Sequence, residues 1–339
     1  MIARDDIIIR KAILHILDTS HGNCILSHTL LNPGPDLHDF IRNHIYKIIS
    51  SDDTKNCSFN EETSPIYSIL ESWEESEDTS FIETSQAIAN KLYIAMGEGL
   101  DIPPADLLFV TFQAEGVIYL ALLKMNYRES YTHEISMTPS PESKIIKSDA
   151  LLPSSSSRIP EAVIINLSDF HIQLLEKRYE VNGEKIYYLS ERFLICHTSI
   201  PPKKKLNILT KVINNISNKY DGADLKTKMD TKSALQKEYR DHQSFDIEEI
   251  GQKLFGKSPE KKSEFDEKME QYDLQFDHFT VANENTVKKL EKQVMVTDSG
   301  IEISIPMETY NKLANFEVQT DVTGKSTIII RNIDNLILK

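Results

Sequence analysis

Apolar positions recur along this chain with two different periods, and the changes of period mark out its elements. Residues 6–17, "DIIIRKAILHIL", combine β-branched residues with partial alternation and predict a strand. "GNCILS" follows a turn at His21–Gly22 and reads as the partner strand. The spacing then changes. In "PDLHDFIRNHIYKIIS" (35–50), Leu37, Phe40, Ile41, Ile45 and Ile48 form one stripe behind Pro35 and Asp36, which predicts a helix. "FIETSQAIANKLYIAMGEG" (81–99) predicts a second amphipathic helix with a glycine stop. "DLLFVTFQA" and "GVIYLALLKMNY" are nearly continuous apolar runs and predict a hairpin at the centre of a sheet.

Residues 137–160 are rich in Pro and Ser and read as a long connection. Next come further strand-like runs, with Asn182–Gly183 between two of them as a type I′ hairpin signal. Beyond residue 221 helical patterns dominate: "LKTKMDTKSALQKEYRDHQ", "DIEEIGQKLFG", "SPEKKSEFDEKMEQYDL" and "ENTVKKLEKQ". Ser258 and Pro259 stand as cap and first-turn residue of the third. Ile301, Ile303 and Ile305 alternate as in a strand, and "STIIIRNIDNL" reads as a closing β partner. The fold class expected is α+β. An N-terminal domain over 1–220 has a mixed sheet with flanking amphipathic helices. A C-terminal domain over 221–339 is helical with a small β element.

Composition changes this picture in one respect. The 339 residues hold 52 Asp+Glu against 38 Lys+Arg, a formal charge of −14. Ten of the acids fall within 51–85, against one Lys, so 51–80 reads as an acidic insert. Its plain reading is a solvated loop; the sharper one is a screen that mimics a polyanion. No apolar run is long enough to span a bilayer, the N-terminal stretch does not read as a signal peptide, and three scattered cysteines suit a reducing cytoplasm.

Against that acidity, "PPKKKLNILTKVINNISNKY" (201–220) holds five lysines and no acid. On a helix, Leu206, Leu209, Ile213, Ile216 and Tyr220 share one stripe, with Lys204 and Lys211 on the opposite face. A solvated basic back on an amphipathic helix is the bland explanation. Lys203, Lys204 and Lys205, however, crowd the N-terminal turn, where the helix dipole disfavours cations by about 0.3–1 kcal/mol each. Phosphate is the partner that would reward such an arrangement. Lys203, Lys204, Lys205, Lys211 and Lys219 are therefore the candidate DNA-backbone contacts, with little base reading because the stretch holds no Arg.

Other chemistry finds less support. His21, Cys24 and His28 lie close in sequence but match no standard zinc spacing and lack a fourth ligand, so no metal site is expected. A metal-dependent nuclease could use Asp106 and Lys124 on the central hairpin, yet the position two before Lys124 is Leu122, and Glu115 lies in the turn. A core hairpin with charged ends explains these residues as well. With 11 glycines and no phosphate-loop motif, a backbone nucleotide cradle is not expected, and no cofactor is called for. The two helices around 247–270 imitate a helix-turn-helix, but the second carries Glu260, Glu264, Asp266, Glu267 and Glu270 and would repel the major groove, so the pair reads as a packing or dimerisation element.

Three segments carry a resemblance. "IRKAILHILDTSHGNCILS", "EAVIINLSDFHIQLLEKRYEVNGEKIYYLSERFL" and "VMVTDSGIEISIPMETY…STIIIRNIDNL" resemble the 37-kilodalton bacterial nucleoid-associated protein family, in the family's order. The resemblance implies a cytoplasmic, nucleoid-associated protein with DNA or a chromosome-bound protein as partner, and no cofactor. It supplies no catalytic motif, so the protein is not expected to be an enzyme. The alternatives are a protein-binding module without direct DNA contact, and a metal-dependent nuclease or phage-defence effector. Homodimer formation is left open.

Overall fold

The computed structural model describes residues 2–98, 101–136, 142–181, 183–222, 225–311, 316–321, 325–333 and 335. The chain divides into two compact units, Met1–Ile200 and Pro201–Lys339. The boundary falls twenty residues before the expected one at 220, so the lysine-rich helix opens the second unit instead of closing the first. A proline pair at 201–202 and a helix start, rather than a helix end, make the break.

In the first unit the elements run β1 (Ile8–Asp18), β2 (Asn23–Ile25), α1 (Pro35–Ile49), β3 (Lys55–Phe59), α2 (Pro65–Glu71), α3 (Asp78–Gly97), β4 (Ala105–Ala114), β5 (Val117–Asn126), β6 (Arg128–Ser136), β7 (Glu142–Leu151), β8 (Glu161–Asn166), β9 (Ile172–Leu175), β10 (Tyr179–Val181), β11 (Glu184–Ile186) and β12 (Cys196–Thr198). A π-helical turn spans Leu189–Leu194. Eight strands form one sheet in the order β12-β3-β9-β8-β5-β4-β1-β2. Every pairing within it is antiparallel, which corrects the expected mixed sheet. The physical reason is local: short turns join β1 to β2, β4 to β5 and β8 to β9, and a short turn can only reverse the chain.

The sheet is covered on both faces. Ile41, Ile45 and Ile48 of α1 pack with Leu108, Val110, Leu123 and Met125 on one side. Phe81, Ile88 and Leu92 of α3 pack with Leu107, Phe109, Leu120 and Leu122 on the other. Two-sided cover explains why β4 and β5 are apolar without alternation. Glu115 and Gly116, both at positive φ, make the two-residue turn between them. In the β10–β11 hairpin Gly183 is left-handed at φ +84°, while Asn182, the other half of the expected turn, lies outside the described residues. The glycine stop at Gly99 also lies outside them; α3 ends at Gly97.

Two stretches differ from expectation. The acidic 51–80 is no solvated loop. It supplies β3 and α2, and its Phe59, Ile66 and Leu70 are buried in the α3-side core. Trp73 stands 6.0 Å from the Phe109 ring and 6.1 Å from Phe81. Acids on the outer positions masked a short amphipathic pattern beneath them. The presumed connection 137–160 contains β7, which pairs with β6 in a two-stranded ribbon; residues 137–141 lie outside the described residues.

The second unit contains α4 (Pro202–Asp221), α5 (Leu225–His242), β13 (Phe245–Asp246), α6 (Ile247–Phe255), α7 (Pro259–Glu270), β14 (His278–Phe279), α8 (Glu284–Glu291), β15 (Lys292–Val296), β16 (Glu302–Pro306), α9 (Met307–Asn311), β17 (Phe316–Thr320) and β18 (Ser326–Ile330). Three small antiparallel pairs, β13–β14, β15–β16 and β17–β18, accompany the helices. Met229 of α5 is buried with Ile305, Met307, Tyr310 and Phe316. The α6–α7 pair packs closely, with Gly251 directly beneath the Phe265 ring.

Candidate nucleic-acid interface

Helix α4 begins at Pro202, so Lys203, Lys204 and Lys205 occupy its first turn, which itself contains no acidic residue. No side chain caps this end, and the positive pole of the helix faces three ammonium groups. Leu206, Leu209, Val212, Ile213 and Ile216 are buried and hold the helix in the unit. Tyr220, expected in the same stripe, lies at the exposed end, and its hydroxyl donates to Glu264 Oε2 at 3.0 Å.

The five lysines fall into different settings. Lys205 pairs with Asp277 at 2.7 Å and is largely covered. Lys219 pairs with Glu264 at 2.6 Å, and that contact raises its pKa. Both therefore meet a protein carboxylate before any external anion. Lys204 and Lys211 are exposed, and neither has a carboxylate within ion-pair distance among the described residues. Lys203 lines a cavity of about 370 Å³ whose wall also holds Lys228, Lys232 and Lys289. Those three escaped the sequence reading because α5 and α8 carry acids elsewhere along their length. The spacing of Lys228 and Lys232, four apart and hence on one helix face, was the available signal.

The hairpin residues considered for nuclease chemistry are separated by the sheet. Asp106 stands opposite Met125, and Lys124 opposite Leu107. Adjacent strand positions point to opposite faces, so Asp106 and Lys124 cannot share a site. Lys124 is buried and donates to Glu161 Oε2 at 3.0 Å, Asn126 Oδ1 at 2.6 Å and the Pro103 carbonyl at 3.1 Å. Burial drives its pKa down and Glu161 opposes that. Asp106 accepts from the Tyr127 hydroxyl at 2.6 Å; burial raises its pKa, and Asp18 adds to the effect.

His21 and His28 are likewise apart in their bonding: His21 Nδ1 is 2.8 Å from Asp18, and His28 Nδ1 is 3.1 Å from the Gln86 amide. Among the described residues a three-donor cluster occurs elsewhere, at Glu238, His242 and Glu249. Lys253 already bridges its two carboxylates at 2.8 Å each.

The family model for nucleoid-associated protein YejK matches residues 13–337, nearly the whole chain. The chain belongs to this family. Membership carries a nucleoid-associated role for the YejK-type chain, in agreement with the resemblance in its three segments. No curated protein matches the sequence. Among the described residues no helix is long and apolar enough to cross a membrane.

Proposed function

We propose that this YejK-family protein associates with the nucleoid by contacting the DNA backbone directly, through the lysines that open and line α4. The observation that carries this reading is the placement of Lys203, Lys204 and Lys205 in an uncapped first turn, with Lys204 and Lys211 exposed and unpaired by acid among the described residues. Such a turn is unfavourable in the isolated helix. A phosphate backbone reverses the sign of that term and adds counterion release. Lys204 and Lys211 are the main contacts, with Lys203 beside them. Lys205 and Lys219 contribute only if Asp277 and Glu264 release them. Contacts made by lysines alone bind duplexes of any sequence with similar strength.

The test is a titration of wild type and of K203Q/K204Q/K211Q with duplex DNA at several salt concentrations. Each phosphate contact adds about −0.9 to the slope of log K against log salt. The triple variant is expected to flatten the slope by roughly 2–3 and to weaken all sequences alike. K219Q, whose lysine is held by Glu264, should keep the wild-type slope. Circular dichroism checks folding. A folded triple variant with the wild-type slope removes α4 from the interface. A wild type that binds no duplex at low salt overturns direct binding and leaves association through a chromosome-bound protein.

A further inference from the structure

The cavity beside α4 has a chemistry of its own. Its floor is made by Leu206, Leu235 and Leu290, all buried. Its wall carries Lys203, Lys228, Lys232 and Lys289, and among the described residues none of the lining groups is Asp or Glu. That is unusual in a unit where residues 201–339 hold 23 acids and 22 Lys+Arg, and where many surface lysines have an acid beside them. The volume, about 370 Å³, lies in the range of about 300–1,000 Å³ typical of small-molecule sites.

Two polar groups in the wall are incompletely compensated among the described residues: a half-buried ammonium without a counter-charge and a buried amide oxygen without a donor. Lys232 is half-buried, and among the described residues its ammonium donates only to neutral oxygens, the Lys292 carbonyl at 2.5 Å and Gln293 Oε1 at 3.1 Å. Burial lowers its pKa, and among the described residues no carboxylate lies within ion-pair distance to oppose that. Asn214, also in the wall, has a buried Oδ1 with no hydrogen-bond partner among the described residues. A half-buried cation without a counter-charge and a buried carbonyl without a donor both carry a cost. An anion bearing a hydrogen-bond donor would relieve both.

We propose that this cavity binds a nucleoside polyphosphate, with the phosphates held by Lys228, Lys232 and Lys289 and the nucleoside set over the leucine floor within reach of Asn214. Several lysines suit several phosphate charges better than one. The apolar floor suits a heterocycle, and the amide carbonyl accepts from its exocyclic amine. The cradle is built from side chains, which is why no glycine-rich motif announces it. The proposal goes beyond backbone binding and stands without it, because Lys203 alone belongs to both surfaces.

Calorimetry and thermal melting of the full chain, without magnesium, test the assignment with ATP, inorganic tripolyphosphate and adenosine as probes. ATP is expected to bind and raise Tm, tripolyphosphate to bind about tenfold more weakly, and adenosine more weakly still. K228Q and K289Q, both at exposed positions that leave the core untouched, should each weaken ATP binding about tenfold, the worth of one charge-assisted contact. K204Q, outside the cavity, should leave ATP binding unchanged. The proposal is overturned by an absence of ATP binding at millimolar concentration, by K228Q and K289Q binding ATP as wild type does, or by tripolyphosphate binding as tightly as ATP. Loss of duplex binding in K203Q/K204Q/K211Q has no bearing on these outcomes, so the two readings fail separately.

Discussion

Lys124 and Glu161 form an ion pair at 3.0 Å in the core of the first unit, with side chains 2% and 0% exposed. Strand β5 supplies the lysine and β8 the acid, and the two positions face each other directly in the sheet register. Tyr179 and Asn126 also donate to the same Oε2, at 2.9 and 3.1 Å. The pair therefore fixes the junction of two central strands and leads toward the β10–β11 hairpin through Tyr179. Removing one partner of a buried pair leaves the other charge uncompensated, at a typical cost of about 3–5 kcal/mol. E161Q is expected to lose that much in urea unfolding. K124M/E161L should recover part of it. A loss below about 1 kcal/mol in E161Q would mean that water reaches Lys124.

Stability should fall on mild acidification because of two buried histidines. Burial brings the pKa of His15 down from 6.5 to about 4, with nearby His28 adding to the effect, and brings His44 to about 4 as well. Ser85 Oγ lies 3.0 Å from His15 Nε2, and the Ser27 amide donates to Nδ1 at 3.1 Å, which holds the neutral ring. Between pH 6.5 and 4 the unfolded chain binds more protons than the folded one, so stability is full above 6.5 and drains away as pH drops toward 4. Each histidine accounts for up to about 3 kcal/mol. Urea unfolding of wild type and H15Q at pH 7 and pH 4.5 checks this: H15Q should show the weaker pH dependence. Equal slopes would count against a neutral, buried His15.

Gly251 in α6 should resist replacement. A Cβ there would stand 2.5 Å from the Phe265 ring, so α7 would have to move. Glycine to alanine in a helix ordinarily gains up to about 1 kcal/mol, whereas overpacking costs about 1–3. G251A is thus expected to be destabilised on balance, and G251A/F265L to regain much of the loss. A Tm rise in G251A alone would show that the helices separate freely.

The acidic segment gives a prediction that divides its charge from its packing. L70A should cost about 2–5 kcal/mol, because Leu70 is buried against the α3-side core. E61Q/E62Q/E74Q, at exposed positions in the same segment, should change stability by less than about 0.5 kcal/mol. Urea midpoints of the two variants decide it. Similar midpoints would return 51–80 to the status of a solvated insert.

The sequence by itself determined the α+β class and the order of most elements. Helices α1, α3 and α4, strand β1 and the β4–β5 hairpin are all visible in it, since a period of 3.6 or a dense apolar run reports local geometry directly. It also determined that the first turn of α4 holds three lysines, because Pro202 and the stripe from Leu206 onward set the helix start. What lay beyond it was every relation between residues distant in the chain. Strand β3 and helix α2 were hidden because Phe59, Ile66 and Leu70 make too short a pattern beneath the ten acids of 51–85, and only the aromatic core around Trp73, Phe81 and Phe109 gives that segment its place. Sheet register decided that Asp106 and Lys124 face opposite ways, a one-residue parity that spacing along the chain cannot report. Tertiary packing likewise chose which lysines are spent on Asp277 and Glu264, and brought Lys228 and Lys232 of α5 to one cavity with Lys289 of α8, although they lie far apart in sequence. Charge pairing acts over a few ångströms in space, and only the folded chain sets those distances.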